Sequence, residues 1–211
     1  MKTKNLVLIS ICAVIISSCA TISYTPKVSL DLSPLTIKKT IKAENLIDKT
    51  KPEHKKKPIS GFSVTDSESL AGDLSTEVTN AIIEDFNNNG VFSKISKRED
   101  NPDFILKGEI TNFEGKYRPT TIYWVTIPVS TLWFFGIPIA KDEIDIDLKV
   151  TIYKRSGEFV GEYYGEASDT QLYTLYKNGA FGLPAKTNRI FSDAIKQIRE
   201  KIIQDAGKFN N

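Results

Sequence analysis

Apolar and polar residues alternate most regularly over residues 144–153, where every second side chain is apolar. This period of two is typical of a strand that buries one face. A turn sequence, Lys-Arg-Ser-Gly, occupies residues 154–157, and residues 158–167 return with the same kind of pattern. The two stretches therefore predict a β-hairpin.

Two shorter stretches upstream also predict strands. Residues 91–95 are apolar at their ends, and residues 104–113 follow a turn at Asn101-Pro102-Asp103. In the second stretch one face carries Phe104, Leu106, Gly108 and Ile110, and the other carries Lys107, Glu109 and Thr111. We expect both to pair within the same sheet as the hairpin.

Two segments carry helical periodicity instead. Residues 65–68, Thr-Asp-Ser-Glu, match a capping box and predict a helix start. An apolar stripe at four-residue spacing follows, and the Asn-rich stretch before Gly90 predicts the helix end. A last helix is expected from about Thr187 to Ile202. The stripe of the first helix consists of Leu70, Leu74, Val78, Ile82 and Phe86.

Together these elements predict an α+β fold. We expect a two-layer sandwich in which two helices cover one mainly antiparallel sheet of four to five strands. A long apolar insertion, residues 119–140, separates two of the strands, and we expect it to form a hairpin extension.

The amino terminus has a different character. Lys2 and Lys4 precede an apolar run that is shorter than the about 20 residues needed to span a bilayer, and Ile-Ser-Ser-Cys closes it at residues 16–19. These four residues resemble a lipobox, which implies that Cys19 is acylated. Ala20 follows, and resemblance to sorting in enteric bacteria then implies the outer membrane.

The predicted organisation has three parts. Residues 1–18 form a lipoprotein signal peptide, residues 19–58 form a lipid-anchored flexible tether, and residues 59–211 form a periplasmic α+β domain. The tether is rich in Lys, Ser, Thr and Pro, and we expect one edge strand in it, near residues 41–47.

Composition excludes several functions. The formal net charge is only +2, and lysine far outnumbers arginine, which disfavours nucleic-acid binding. Cys12 leaves with the signal peptide and Cys19 is acylated, so the mature chain has no thiol for a disulfide or for catalysis. The single histidine, His54, lies in a lysine-rich stretch that predicts a solvated linker. We expect no cofactor and no enzymatic activity.

Acidic residues cluster at Asp142, Glu143, Asp145 and Asp147. Alternation places Asp145 and Asp147 on one strand face, without the glycine turn and spaced ligands of a calcium loop. A solvated sheet face is therefore the interpretation, and no metal site is predicted.

The apolar insertion is the strongest functional candidate. No residue between Arg118 and Lys141 is charged, and both tryptophans of the chain lie there. Three interpretations stay open: burial as core, contact with membrane or a hydrophobic ligand, and self-association or docking to a partner. Under the second and third, the contact residues are Tyr123, Trp124, Trp133, Phe134 and Phe135.

The order of elements resembles that of small envelope lipoproteins. Residues 81–86, Gly90-Val91-Phe92 and residues 103–110 carry the likeness. The families concerned are auxiliary lipoproteins of envelope ABC transporters, curli-secretion lipoproteins and the amino-terminal domain of Tol-system proteins. The resemblance implies a fold, and no site residue follows from it.

The sequence thus predicts a non-enzymatic lipoprotein of the outer membrane. Its domain faces the periplasm, with the cell surface as an alternative, and binds an envelope protein or lipid during outer-membrane assembly or envelope transport. A second hypothesis is an oligomeric pore or secretion subunit that inserts its apolar hairpin into the membrane. An envelope hydrolase using paired carboxylates is the third, although no spacing selects such a pair.

Changing Cys19→Ser is expected to abolish fatty-acid labelling of the protein, because the acyl chain is attached through the thiol. Metabolic labelling followed by membrane fractionation measures this, and Cys12→Ser provides the matched control that keeps the label. Label retained on the Cys19→Ser variant would contradict the predicted anchor.

Overall fold

A computed structural model describes residues 23–28, 37–58, 60–66, 68–177 and 182–210. The predicted signal peptide and Cys19 lie outside these residues. The described chain contains a seven-stranded sheet and three α-helices, which makes the fold mixed α+β. The strands are β1 (Ile37–Ala43), β2 (Ile47–Asp48), β3 (Phe62–Ser63), β4 (Phe92–Ser96), β5 (Phe104–Pro119), β6 (Ala140–Lys154) and β7 (Phe159–Tyr173).

The sheet is mixed, and its long ladders are antiparallel, as predicted. Its strand order is β4-β1-β5-β6-β7, with the short β2 and β3 also paired to β5. Antiparallel ladders join β5 to β6 and β6 to β7, whereas β1 runs parallel to both β4 and β5. The predicted count of four to five strands is too low. β2 and β3 contain only two residues each, which is too few to show a period in the sequence.

The strand expected at an edge near residues 41–47 is an interior strand. β1 lies between β4 and β5, with Ile41 paired to both Ile95 and Phe104. Ile37, Ile41 and Ala43 are buried, while the lysines between them lie on the less buried face. These lysines hide the interior position of the strand in the sequence, because an interior strand that is buried on one face only still tolerates charge on the other.

The alternation predicted over residues 144–153 is confirmed, and the strand is longer than predicted. β6 pairs with β5 along nearly its whole length, with one irregularity between Ile110 and Asn112 in β5. β7 pairs with β6 from Phe159 to Tyr173. The three strands form a long antiparallel ribbon with one apolar face.

The three helices are α1 (Leu74–Asn88), α2 (Thr121–Thr126) and α3 (Leu183–Gln204). α1 begins about two turns after the predicted capping box, because Asp66 accepts hydrogen bonds from the amides of Glu68 and Ser69 and closes a turn instead. Asp73 is the actual cap and accepts from the Thr76 amide at 3.0 Å. The predicted end is confirmed, since Gly90 follows with φ of 62°.

The core lies between the sheet and the helices α1 and α3. Ile144, Ile146, Leu148, Val150 and Ile152 are all fully or almost fully buried. α3 approaches β7 closely at Gly165, where a Cβ atom would lie 2.1 Å from the backbone oxygen of Ala194. Glycine is therefore required at this position for the helix to pack on the strand.

The other face of the sheet is partly covered as well. The stretch around His54, predicted to be a solvated linker, lies against β5: His54 Nδ1 is 2.6 Å from Asn112 Oδ1, and Lys116 donates to the carbonyl of Glu53 at 3.0 Å. Asn112 in turn donates to Asp145 at 2.7 Å. The domain is thus not a simple two-layer sandwich at this point, because residues 48–58 form a further covering.

The fold also includes residues well before β1. Tyr24 is 1% exposed, its amide donates to the carbonyl of Ser69 at 2.8 Å, and its carbonyl accepts from Ala71 at 3.0 Å. Part of the segment predicted as tether therefore packs in the domain.

The outer edge of β7 is protected by α3. The side-chain amide of Gln197 donates to the carbonyl of Glu166 at 2.7 Å and accepts from its amide at 3.2 Å. Lys201 donates to the carbonyl of Tyr164 at 2.7 Å. These bonds satisfy backbone groups that an additional strand would otherwise pair with.

A buried ion pair joins α1 to α3. Arg199 Nη1 lies 2.9 Å from each carboxylate oxygen of Asp85, and both side chains are almost fully buried. Asn89 also donates to Asp85, at 3.0 Å. Loss of either charge leaves the other buried without its counter-ion.

Arg199→Met is expected to lower the free energy of unfolding by about 3 to 5 kcal/mol, since the buried Asp85 carboxylate would lose the guanidinium that contacts both of its oxygens. Urea unfolding followed by circular dichroism measures the loss. Lys49→Met removes an exposed pair with Glu109 and serves as the control, with an expected change of about 1 kcal/mol or less. Equal losses in the two variants would contradict the assigned role of the buried pair.

Candidate functional site

The apolar insertion joins β5 to β6 at one end of the ribbon. Helix α2 and 3-10 turns at Ile127–Phe135 form it, so the predicted hairpin extension is not found. Pro128 lies at the start of the 3-10 turns, and Gly136 ends them with φ of 80°. Prolines lack the amide that a ladder requires, and these residues favour turns over strands.

The insertion packs chiefly against itself. Thr126 donates to the carbonyl of Ile122 at 2.7 Å and accepts from the Trp133 indole at 2.8 Å. The rings of Tyr123 and Trp133 stack with centroids 5.2 Å apart. Of the described residues 121–135, Thr126 alone is buried.

The structure divides the five predicted contact residues into two groups. Tyr123 and Trp133 stack inward and are half-buried, whereas Trp124, Phe134 and Phe135 are 54%, 65% and 83% exposed. Burial as core, the first of the three interpretations, is therefore not the arrangement that the structure shows.

Residues from β7 and the loop after it extend this exposed surface. Leu172, Leu175 and Tyr176 are exposed, and the Tyr176 hydroxyl donates to the carbonyl of Phe134 at 2.8 Å. Sequence reasoning missed them because they lie about 40 residues away along the chain, although the apolar Leu-Tyr pattern of residues 172–176 was a signal. We call the exposed apolar residues of 122–135 together with these three the apolar tip.

A buried polar cluster supports the base of the apolar tip. Asp142 is 1% exposed, and its Oδ2 lies 2.5 Å from both Lys186 Nζ and the Tyr173 hydroxyl. Lys186 also lies 4.4 Å from the centroid of the Tyr173 ring. The other oxygen, Asp142 Oδ1, has no hydrogen-bond partner among the described residues.

Burial raises the pKa of Asp142 above its ordinary value of 3.8, and the nearby Asp169 adds to the increase, while Lys186 opposes it. The backbone amide of Ile139 donates to the carbonyl of Tyr173 at 2.8 Å and ties the cluster to the end of the apolar insertion. The cluster therefore fixes the root of the tip to α3 and β7.

Two further acidic residues of the region make ordinary contacts of the sheet surface. Glu143 pairs with Arg118 and Lys141, and Asp145 accepts from Asn112. Within the described ranges, no group of three His, Cys, Asp or Glu side chains is placed to hold a metal ion. No helix in the part of the chain that the structure describes is both long and apolar enough to cross a membrane.

A scan of protein-family models finds no match to this sequence, and a search of curated proteins finds none either. Solved structures do match. The DUF330-family protein XCC0632 of Xanthomonas campestris superimposes with a TM-score of 0.53 and 12% identity, over 90% of this chain and 99% of that one.

Two further structures match less closely. CT253 of Chlamydia trachomatis has a TM-score of 0.45 and 9% identity, over 80% of this chain and 98% of that one. A minor lipoprotein of Acinetobacter baumannii has a TM-score of 0.41 and 12% identity, over 82% and 95%. This chain has the fold of the DUF330-family protein, and bacterial lipoproteins are among its structural neighbours.

The raised pKa of Asp142 gives a pH dependence of stability. Because the folded state binds the proton more tightly than the unfolded state, the contribution of Asp142 is most favourable at low pH and is lost as pH rises from about 4 through the folded pKa. We expect the free energy of unfolding of the wild type to fall relative to that of Asp142→Asn over this range.

Denaturant unfolding of both proteins at several pH values measures the difference. A cost that does not depend on the charge of Asp142, such as a change in packing, shifts all values and leaves the slope unchanged, whereas the ion pair with Lys186 is already part of the net pKa shift. A difference that is independent of pH, or that grows in favour of the wild type, would contradict the raised pKa.

Proposed function

We propose that the protein is a non-enzymatic, lipid-anchored lipoprotein of the outer membrane whose domain faces the periplasm. It serves as an accessory binding module in outer-membrane assembly or envelope transport, and the apolar tip is its binding surface. Acylation of Cys19 supplies the anchor.

The observation that carries this proposal is the concentration of exposed apolar side chains at one end of the domain. Among the described residues, eight of fourteen exposed large hydrophobic side chains lie within residues 122–135, and three more lie within residues 172–176. Isolated exposed hydrophobics are common, but a contiguous patch marks an interface.

Two further features support the proposal. The lipobox-like residues 16–19 close a basic and then apolar segment, as expected before an acylated cysteine. The groups that carry chemistry in many enzymes have structural partners here: His54 bonds to Asn112, and Asp142 is held by Lys186 and Tyr173. These contacts favour structural roles for both residues.

Photo-crosslinking in intact cells tests the binding surface. A photoreactive amino acid at position 135, replacing the most exposed aromatic of the apolar tip, is expected to yield crosslinked products with lipid or with an envelope protein. The matched control is position 159, since Phe159 is 58% exposed and follows the turn at the opposite end of the β6–β7 hairpin.

Products that arise from position 135 and are absent at position 159 would support the apolar tip as the binding surface. Equal yields from the two positions, or none from position 135, would contradict the proposal. Fractionation of the two variants checks that both reach the same membrane.

A further inference from the structure

A basic cleft of about 450 Å³ opens directly beside the apolar tip. Lys56, Lys57, Lys116 and Arg118 line it together with one acidic residue, Glu53, and its far wall includes Trp124. Trp124 thus belongs to both surfaces. The cleft and the apolar tip are therefore continuous.

The floor of the cleft is well fixed. Lys116 is buried and donates to the carbonyl of Glu53 at 3.0 Å, which holds the lysine-rich stretch against β5. Lys116 and Arg118 are also paired with Glu114 and Glu143. These contacts give the cleft a defined shape.

The rim of the cleft is more exposed to solvent than its floor. Lys57 pairs with Glu68 at 2.8 Å, and more than half of each side chain is exposed. An exposed pair of this kind is weak and is screened by salt, so another anion can replace Glu68 readily. Lys56 is exposed and forms no ion pair with any residue that the structure describes. The rim therefore favours an anionic ligand.

The position of Tyr24 limits how far the domain can lie from its anchor. Tyr24 is fixed in the core, and its ring lies 6.4 Å from that of Phe113 on β5, the strand that leads to the apolar tip. Cys19 is five residues earlier in the sequence. Five residues span at most about 18 Å, so an acylated Cys19 holds this part of the domain near the bilayer surface.

The chain after Tyr24 stays in the half of the domain that carries the apolar tip. The amide of Lys27 donates to Asn188 Oδ1 at 3.0 Å, near the start of α3. Two residues earlier in α3, Lys186 contacts Asp142 beneath the apolar tip. The anchored end and the apolar tip therefore belong to the same half of the domain.

We infer that the apolar tip and the basic cleft together form a docking surface for a bilayer containing anionic phospholipid. The exposed aromatic side chains enter the interface between headgroups and acyl chains, where tryptophan is favoured. The exposed lysines of the rim, Lys56 and Lys57, then lie at the level of the phosphate groups, where lysine is attracted to anionic lipid. This inference rests on the proposed function, because it names the partner of the same surface.

Intrinsic fluorescence reports directly on this surface, because both tryptophans of the chain lie in the apolar insertion. The acylated full-length protein is reconstituted into vesicles of phosphatidylethanolamine alone or with phosphatidylglycerol, each with or without brominated acyl chains. We expect the brominated lipid to quench the tryptophans in vesicles that contain phosphatidylglycerol, and to quench them less in its absence.

Lys56→Gln is expected to lower the ratio of inserted to free tip about fivefold in the anionic vesicles, in line with the loss of one surface charge. Lys38→Gln removes an exposed lysine from β1, at the end of the sheet far from the apolar tip, and should leave quenching unchanged. Both lysines are on the surface, so neither change should impair folding.

Quenching that is the same with and without phosphatidylglycerol, or the same in Lys56→Gln and the wild type, would overturn the inference. Absence of quenching together with protein crosslinks from position 135 would overturn it while leaving the proposed function intact. Absence of both quenching and crosslinks would overturn the two together.

Discussion

Burial of one face of the β5–β6–β7 ribbon is the constraint on which the rest of the structure depends. The ribbon presents an apolar face that α3 covers, while α1 packs nearer β4, and the glycine at position 165 lets α3 come close to β7. Once that surface is covered, the core has no place for the uncharged residues between β5 and β6. They are left outside, where prolines and a left-handed glycine fold them into short helical turns.

The same constraint decides how much of the fold the sequence predicts. The long strands and α3 are evident from their periodicity, because burial on a single face leaves a regular pattern. The interior position of β1 is not evident, since lysines lie between its buried residues, and the start of α1 is misplaced because Asp66 offers a convincing local cap. Local signals predict which structures are available to a segment, and tertiary packing selects among them.

The candidate site, like the fold, is only partly predictable from the sequence. The uncharged insertion and its aromatics are recognisable from composition alone, whereas their exposure depends on what the core has already buried. The contributions of Tyr176 and of the lysines beside Trp124 come from segments that are distant in sequence. His54 shows the opposite error: a lysine-rich context suggests solvent, but the side chain reaches Asn112 across the sheet face. Without the strand register, none of these juxtapositions is predictable.

The self-contained packing of the apolar insertion has a consequence for how such a protein diverges. Its hydrogen bonds and ring stacking are internal, and its attachment to the domain runs through a few residues at the root, such as the Asp142 cluster. Most outward side chains there carry no part of the domain's stability. Substitutions at those positions are therefore nearly free of folding cost, so binding preference can change over evolutionary time while the scaffold beneath stays the same.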